Sequence, residues 1–407
     1  MSRRSVVRLC VALLPLATTV ACDQAADRLT APVPRQPLHD VAATVIHVAG
    51  VEQLYAAVND PANEGAAIIL APDTYVLSEK YPDGRDRPNA GRLELLRDMS
   101  LYGVTDDRSA VVIDAHLLLA SSFAVSFGRT GAIRVGLGSN AIEWLTVLGN
   151  KDAAAGIATE LPGTESTRIR VAHVVSGGSS RGVDVRNVGA VNGARRIDAE
   201  IVDNELFGPD DVVGFTEGIR VANFANANGG VIVATLSGNR AHGFQVGCII
   251  ANNRSSNAVL QVRSSEDRFF NNALGCLIAG GLSQTAGVAK SNTTVFKAYG
   301  SHFVDDTASI PGIDPGGIRV VGGLATTQEN VTSDNTVSVA LWGSKVEDNS
   351  PVNFAALGAW KELAPGLAGT NNHVTIELHG VSKFIDVSAE GSRPPEPAGT
   401  NTVTVIR

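Results

Sequence analysis

Gly218-Ile219-Arg220-Val221 and Gly317-Ile318-Arg319-Val320 repeat one tetrapeptide, and Gly182-Val183-Asp184-Val185 repeats it with an acid in place of the arginine. Gly247-Cys248-Ile249-Ile250 and Gly275-Cys276-Leu277-Ile278 fill the same frame with apolar residues. If these segments stack in register, Asp184, Arg220, Ile249, Leu277 and Arg319 form one row. Guanidinium groups pair bidentately with carboxylates, and apolar side chains offer a floor to the flat face of a ring. The row therefore reads as a groove for acidic sugars. Arg220, Arg319 and Asp184 are its catalytic candidates, and Ile249 and Leu277 its substrate contacts. An apolar strip on a solvated face is unusual, and it has a plainer reading as a patch under a long loop. The segment Ser301–Gly317 provides such a loop, and the sequence favours this covered reading.

Asp210, Asp211 and Glu217 add carboxylates close to Arg220 in sequence, and Asp305, Asp306 and Asp314 form a later group. Such groups bind Ca²⁺ or act as acid and base. The run Gly208-Pro209-Asp210-Asp211 is equally a tight turn, which is the simpler explanation for the pair alone. His242 lies within Ala241-His242-Gly243, downstream of that pair, and is a substrate-contact candidate. The histidines as a group are scattered and form no triad, and no His or Cys spacing resembles a metal site. Cys248 and Cys276 share one repeat position, which allows a disulfide between adjacent coils or two buried thiols. The thiols are favoured, because stacked inward side chains of parallel strands have poor dihedrals for a bridge.

The elements that would position these groups are short strands. Arg196–Asn204, Val231–Asn239, Val259–Ser265, Thr294–Gly300, Thr336–Gly343, His373–Gly380 and Thr402–Ile406 alternate apolar with polar residues, the period of a strand with one buried face. Several begin after Asn: Asn257, Asn292, Asn335, Asn372 and Asn401. The glycines opening the second strand family, Gly182, Gly218, Gly247, Gly275 and Gly317, are 28 to 42 residues apart. Similar cores with loops of different length are the mark of a solenoid. Val183, Ile219, Cys248, Cys276 and Ile318 are expected to form one inward ladder. Asn239, Asp267, His302 and Lys345 are expected at comparable turn positions. Val51, Leu54, Tyr55 and Val58 follow helical spacing, as an N-terminal cap over the first coil would. The chain's end shows no clear cap, although Pro394, Pro395 and Pro397 stand in a loop that would shield the last strand.

That helix, followed by the strand Ala67–Leu70 and the turn through Asp73 to Tyr75, resembles the opening coil of pectate-lyase-like proteins. The resemblance covers roughly residues 45–407. It implies an all-β fold, a single-stranded right-handed parallel β-helix solenoid with a short N-terminal capping helix. In lyases of this kind Ca²⁺ held by carboxylates neutralises the uronate and an arginine abstracts a proton. The resemblance thus implies Ca²⁺ as a cofactor, although nothing in the residues requires one. Related hydrolases pair aspartates with a downstream His-Gly, which Asp210, Asp211 and His242-Gly243 partly echo. The Asn-x-Asp and Arg-x-Lys signatures of those hydrolases, and the conserved motifs of pectate lyases, are missing. Asp73 also stands where the family usually has Gly.

Arg3, Arg4 and Arg8 precede the apolar stretch Val11–Ala17, too short to span a bilayer. Ser2–Arg8 also resembles a twin-arginine export signal, and Thr19–Cys22 resembles a lipoprotein cleavage site with Cys22 as the lipidated residue. The expected organisation is a signal peptide over 1–21, a lipid-attachment cysteine and Pro-containing tether over 22–44, and one β-helix domain over 45–407. The 33 Lys and Arg against 41 Asp and Glu give a net charge of −8, and no long basic run points to nucleic acid. The expected partner is a polysaccharide or other surface glycan, met in the cell envelope or outside it, with a lipid as the one link to a membrane. Two functions remain open: a lyase or hydrolase of acidic glycans, and a non-catalytic surface adhesion or structural protein.

Overall fold

The computed structural model describes residues 44–123, 130–149, 155–159, 164–188, 195–210, 215–224, 227–283, 287–307, 316–325, 331–350, 352–361, 369–381, 387–393 and 400–407. Among them the strands collect into three long sheets of 12, 9 and 10 strands, plus one two-stranded pair. Every pairing between the named strands is parallel, and each strand lies beside its counterpart from the coil before and the coil after. A coil visits the sheets in a fixed order. Arg196–Val202 belongs to the first sheet, Glu205–Phe207 to the second and Glu217–Phe224 to the third. The fold is an all-β parallel β-helix.

Alternation explains the packing. In the first sheet Ile232, Ala234 and Leu236 face inward and stack on Leu260, Val262 and Ser264 of the next coil. In the third sheet Val183, Ile219, Cys248, Cys276 and Ile318 align as one fully enclosed inward row. Burying each aliphatic side chain of such a row is worth about 1.5–3 kcal/mol. The second sheet is narrow, and several of its strands have three residues with the middle one fully buried, as with Phe269 and Phe303. Helix α1, Val51–Asn59, turns Leu54, Tyr55, Ala57 and Val58 into the core. Before it runs the strand Thr44–Val48, paired with Ala66–Leu70.

Rows of side-chain amides tie the bends of one coil to the next. Asn292 Nδ2 donates to Asn335 Oδ1 (2.9 Å), Asn335 to Asn372 (2.8 Å) and Asn372 to Asn401 (3.1 Å). A second row runs from Asn204 to Asn239 (2.9 Å) and from Asn239 to Asp267 (2.8 Å). A third joins Asn187, Asn223, Asn252 and Thr294, and a fourth contains Asn272, Asp306 and Asn349. These rows satisfy buried donors that a bend would otherwise strand.

Two alignments differ from the sequence expectation by one residue. Ala258, not Asn257, is the neighbour of Asn292 and donates to its Oδ1, while Asn257 is exposed with φ of 53°. Asn239 and Asp267 share a buried row, but His302 and Lys345 pair with Arg240 and Arg268 on the outer face. Cys248 and Cys276 are free thiols, both buried. The hydrogen bond with Cys276, together with burial, pushes the Cys248 thiol well up, so Cys248 supplies no reactive thiolate. A thiol-alkylating reagent is expected to leave Cys248 and Cys276 unmodified in the native protein and to label both after denaturation, as read by peptide mass. Labelling under native conditions would contradict this packing.

Candidate functional site

The outer face of the third sheet carries the predicted row. Asp184, Arg220, Ile249, Leu277 and Arg319 align on consecutive coils, and neighbours in parallel strands are about 4.8 Å apart. The face is not a solvated surface. Asp184 is 0% exposed, Ile249 3%, and Leu277 and Arg319 7% each. Ile249 and Leu277 belong to a second apolar cluster with Val246, Leu274, Val321, Leu324 and Leu357, against which Phe215 and Trp360 pack. Residues 308–315 of the loop predicted to cover this strip lie outside the described residues.

Arg220 and Arg319 do not act together, because Ile249 and Leu277 stand between them in the row. The Arg319 guanidinium lies 4.6 Å from the centre of the Trp360 ring. Arg220 instead joins Asp184 and Glu217. Its Nη2 donates to Glu217 Oε1 at 2.6 Å, and its Nη1 is 4.0 Å from Asp184 Oδ2. Two arginines not singled out from sequence complete the group. Arg181 Nε donates to Glu217 Oε2 (2.7 Å), and Arg186 Nη2 lies 2.7 Å from Asp184 Oδ2. Both carboxylates are fully enclosed. Burial pushes the Asp184 carboxyl up, but Arg186, Arg220 and Arg181 outweigh it and hold it below the usual carboxylate range. Arg186 was legible in principle, since it stands two residues from Asp184 and therefore on the same face. Glu217 and Arg220 are three apart and touch, so strict alternation slips by one residue across Gly218. That slip hid Arg181, which is aligned with Glu217.

Beside this group the surface dips into a recess lined by Glu217, Arg220, Ala222, Phe224, Ile249, Ala251, Asn253 and Leu282. The guanidinium groups of Arg186 and Arg254 lie 5.1 and 5.2 Å from the Phe224 ring centre. Of the predicted residues, the recess thus unites Arg220, Glu217 and Ile249, with Asp184 behind them and Leu277 one coil further along the row. Asp210 is exposed and follows Gly208, whose N–H donates to the His242 carbonyl at 3.0 Å. Asp211 and Cys22 lie outside the described residues. His242 sits on the second sheet between Phe207 and Phe270, with ring centres 6.4 and 4.9 Å away, and burial lowers its pKa.

Among the described residues, those of this group do not fit a calcium ion. Asp184 and Glu217 are already ringed by three arginines, whereas Ca²⁺ takes six to eight oxygens. Among the described residues no three His, Cys, Asp or Glu side chains gather as metal ligands do. Hydrolysis needs two carboxyl groups that reach the scissile bond, and both carboxylates here are enclosed and held by arginines. What the arrangement does offer is a cationic wall beside an apolar floor.

No family model matches the chain, and neither does any curated protein. Among solved structures it is similar to pectate lyase Pel9A, at 12% identity and a TM-score of 0.41 over 89% of this chain and 84% of that one. It is also similar to an alginate lyase from Paenibacillus sp. str. FPU-7, at 12% identity and a TM-score of 0.30 over 86% of this chain and 98% of that one. A third match is Geobacillus virus E2 ORF18, at 9% identity and a TM-score of 0.27 over 83% of this chain and 54% of that one. The fold stands on the strand pairings described above.

Proposed function

We propose that this protein is an exported cell-envelope β-helix that binds acidic polysaccharide, with the third-sheet recess as the place where a carboxylate of the sugar chain docks. The observation that carries the reading is the composition of the recess. Arg220 stands at its wall, Arg186 and Arg254 flank Phe224, and Ile249, Ala251 and Leu282 line it. A uronate carries one carboxylate for such cations, and apolar neighbours strengthen that pairing by excluding water. The enclosure of Asp184 and Glu217 favours binding over bond cleavage. Export by the N-terminal segment and lipid attachment at Cys22 belong to the same proposal.

The test is incubation of the folded protein with a panel of polyuronates, with and without Ca²⁺, following affinity, unsaturated products and reducing ends. Binding without either product is the expected result, weakened about tenfold in Arg220→Lys while the melting temperature changes little. Unsaturated product would replace this reading with a lyase, and reducing ends alone with a hydrolase. Failure of a folded protein to bind any member of the panel would overturn it.

A further inference from the structure

The second sheet carries a different feature on its outer face. Arg240, Arg268, His302 and Lys345 are aligned on four consecutive coils. Arg240, Arg268 and Lys345 are exposed, and His302 is half-buried. At the interstrand spacing the four side chains span about 14 Å in a straight line. Like charges directly opposite one another in a sheet are destabilising, and this protein has a net charge of −8, so the row stands against both its neighbours and the whole chain. It begins after Glu205, which Arg108 already engages at 3.0 Å.

The cations are also pre-oriented. Arg240 and Arg268 lie 5.6 and 4.7 Å from the Phe270 ring centre. A guanidinium placed over a ring keeps its N–H edge available for a bidentate anion. Phe207, His242 and Phe270 form a parallel row of rings one pleat away. None of the exposed large aliphatic side chains of the described residues lies on these second-sheet strands, so the face lacks what insertion into a lipid layer requires.

We propose that this row is a binding site for an extended acidic polysaccharide, whose successive carboxylates meet Arg240, Arg268, His302 and Lys345 coil by coil. The site is separate from the third-sheet recess and does not depend on it. It recognises a line of negative charge, and its reach is set by the number of coils.

The experiment titrates the full chain with galacturonate oligomers of graded length at low and physiological salt. Affinity is expected to rise with length until four coils are spanned, and to fall as salt increases. Arg240→Gln and Arg268→Gln are each expected to weaken binding of the long oligomers about tenfold, with unchanged melting. Arg220→Lys, in the recess, is expected to leave this length dependence intact, which separates the two sites. Burial, Lys345 and Arg268 lower the His302 pKa while Glu347 raises it. A bound carboxylate chain favours the imidazolium, so the His302 titration followed by NMR should move up on binding. Unchanged affinity in a variant carrying Arg240→Gln, Arg268→Gln and Lys345→Gln would overturn the site. Tighter binding of single-stranded DNA or of phosphatidylglycerol vesicles through the same residues would overturn the choice of ligand.

Discussion

Replacing Asp306 by Asn is expected to stabilise the protein by about 2–4 kcal/mol at pH 7. The reason lies in the amide row around it. An added Cβ at Gly247 would meet Asn272 Nδ2 at 2.8 Å, and one at Gly317 would meet Asn349 Nδ2 at 2.5 Å. At the equivalent Gly275 it would meet Asp306 Oδ2 at 2.4 Å. That oxygen therefore occupies the place of an amide nitrogen. Asn272 and Asn349 use this nitrogen to donate to the carbonyls of Ala241 and Phe303, whose counterpart here is the carbonyl of Phe269. A carboxylate placed there has no donor for that carbonyl, and Oδ2 has no hydrogen-bond partner as an acceptor. A protonated carboxyl solves both problems. Burial, opposed by the Asn272 hydrogen bonds and aided by the Asp305 charge, pushes the Asp306 pKa from 3.8 to about 8. A group raised in the folded state contributes its full stability below about pH 4 and loses it as the pH climbs through 8. Urea unfolding of the wild type should therefore weaken between pH 4 and 8, while Asp306→Asn should remove most of that slope. A variant that is less stable than wild type at every pH would refute the protonated carboxyl.

Glu217→Ala is expected to cost about 3–5 kcal/mol, because truncating one member of a buried ion group leaves its partners buried and uncompensated. Glu217 accepts from Arg181 at 2.7 Å and from Arg220 at 2.6 Å and is fully enclosed. Glu217→Gln keeps the volume but removes the same charge and sets an N–H donor against one of the two arginines, so it should cost a comparable amount. Chemical denaturation of the two variants provides the comparison. A markedly smaller loss in Glu217→Gln would mean that packing, rather than charge, holds this corner together. The same experiment bears on function. A group whose removal unfolds the coil serves the scaffold before any ligand, and the recess then inherits Arg220 in a fixed orientation.

Much of this architecture was legible. The glycine-led tetrapeptides placed Val183 through Ile318 on one inward row and Asp184 through Arg319 on one outward row, because a period of two fixes the face once the register is set. Helix α1 followed from the spacing of Leu54, Tyr55 and Val58. The three-residue strands of the second sheet were not legible, since one inward residue such as Phe269 makes no period. Their register was misjudged by one for His302 and Lys345, and that error hid the cationic row. Burial of Asp184 and Glu217 was equally out of reach. It depends on Arg181 and Arg186, and on a slip of alternation at glycine that composition does not announce. The rings around His242 come from the coils before and after it, so no local motif could reveal them.

The amide rows have one further property: they are directional. Asn292, Asn335 and Asn372 each give one Nδ2 hydrogen to the side chain of the coil that follows and the other to a backbone carbonyl, and take a hydrogen on Oδ1 from the coil before. A folding coil is therefore inspected as it docks. It must bring an acceptor to one defined spot, or one N–H of the preceding amide is left buried without a partner. A slip of one residue would put Asp334 where Asn335 belongs and turn Val337 and Val339 outward. A register error thus carries its cost at the very bend where it arises, as a buried hydrogen bond lost and an apolar pair exposed.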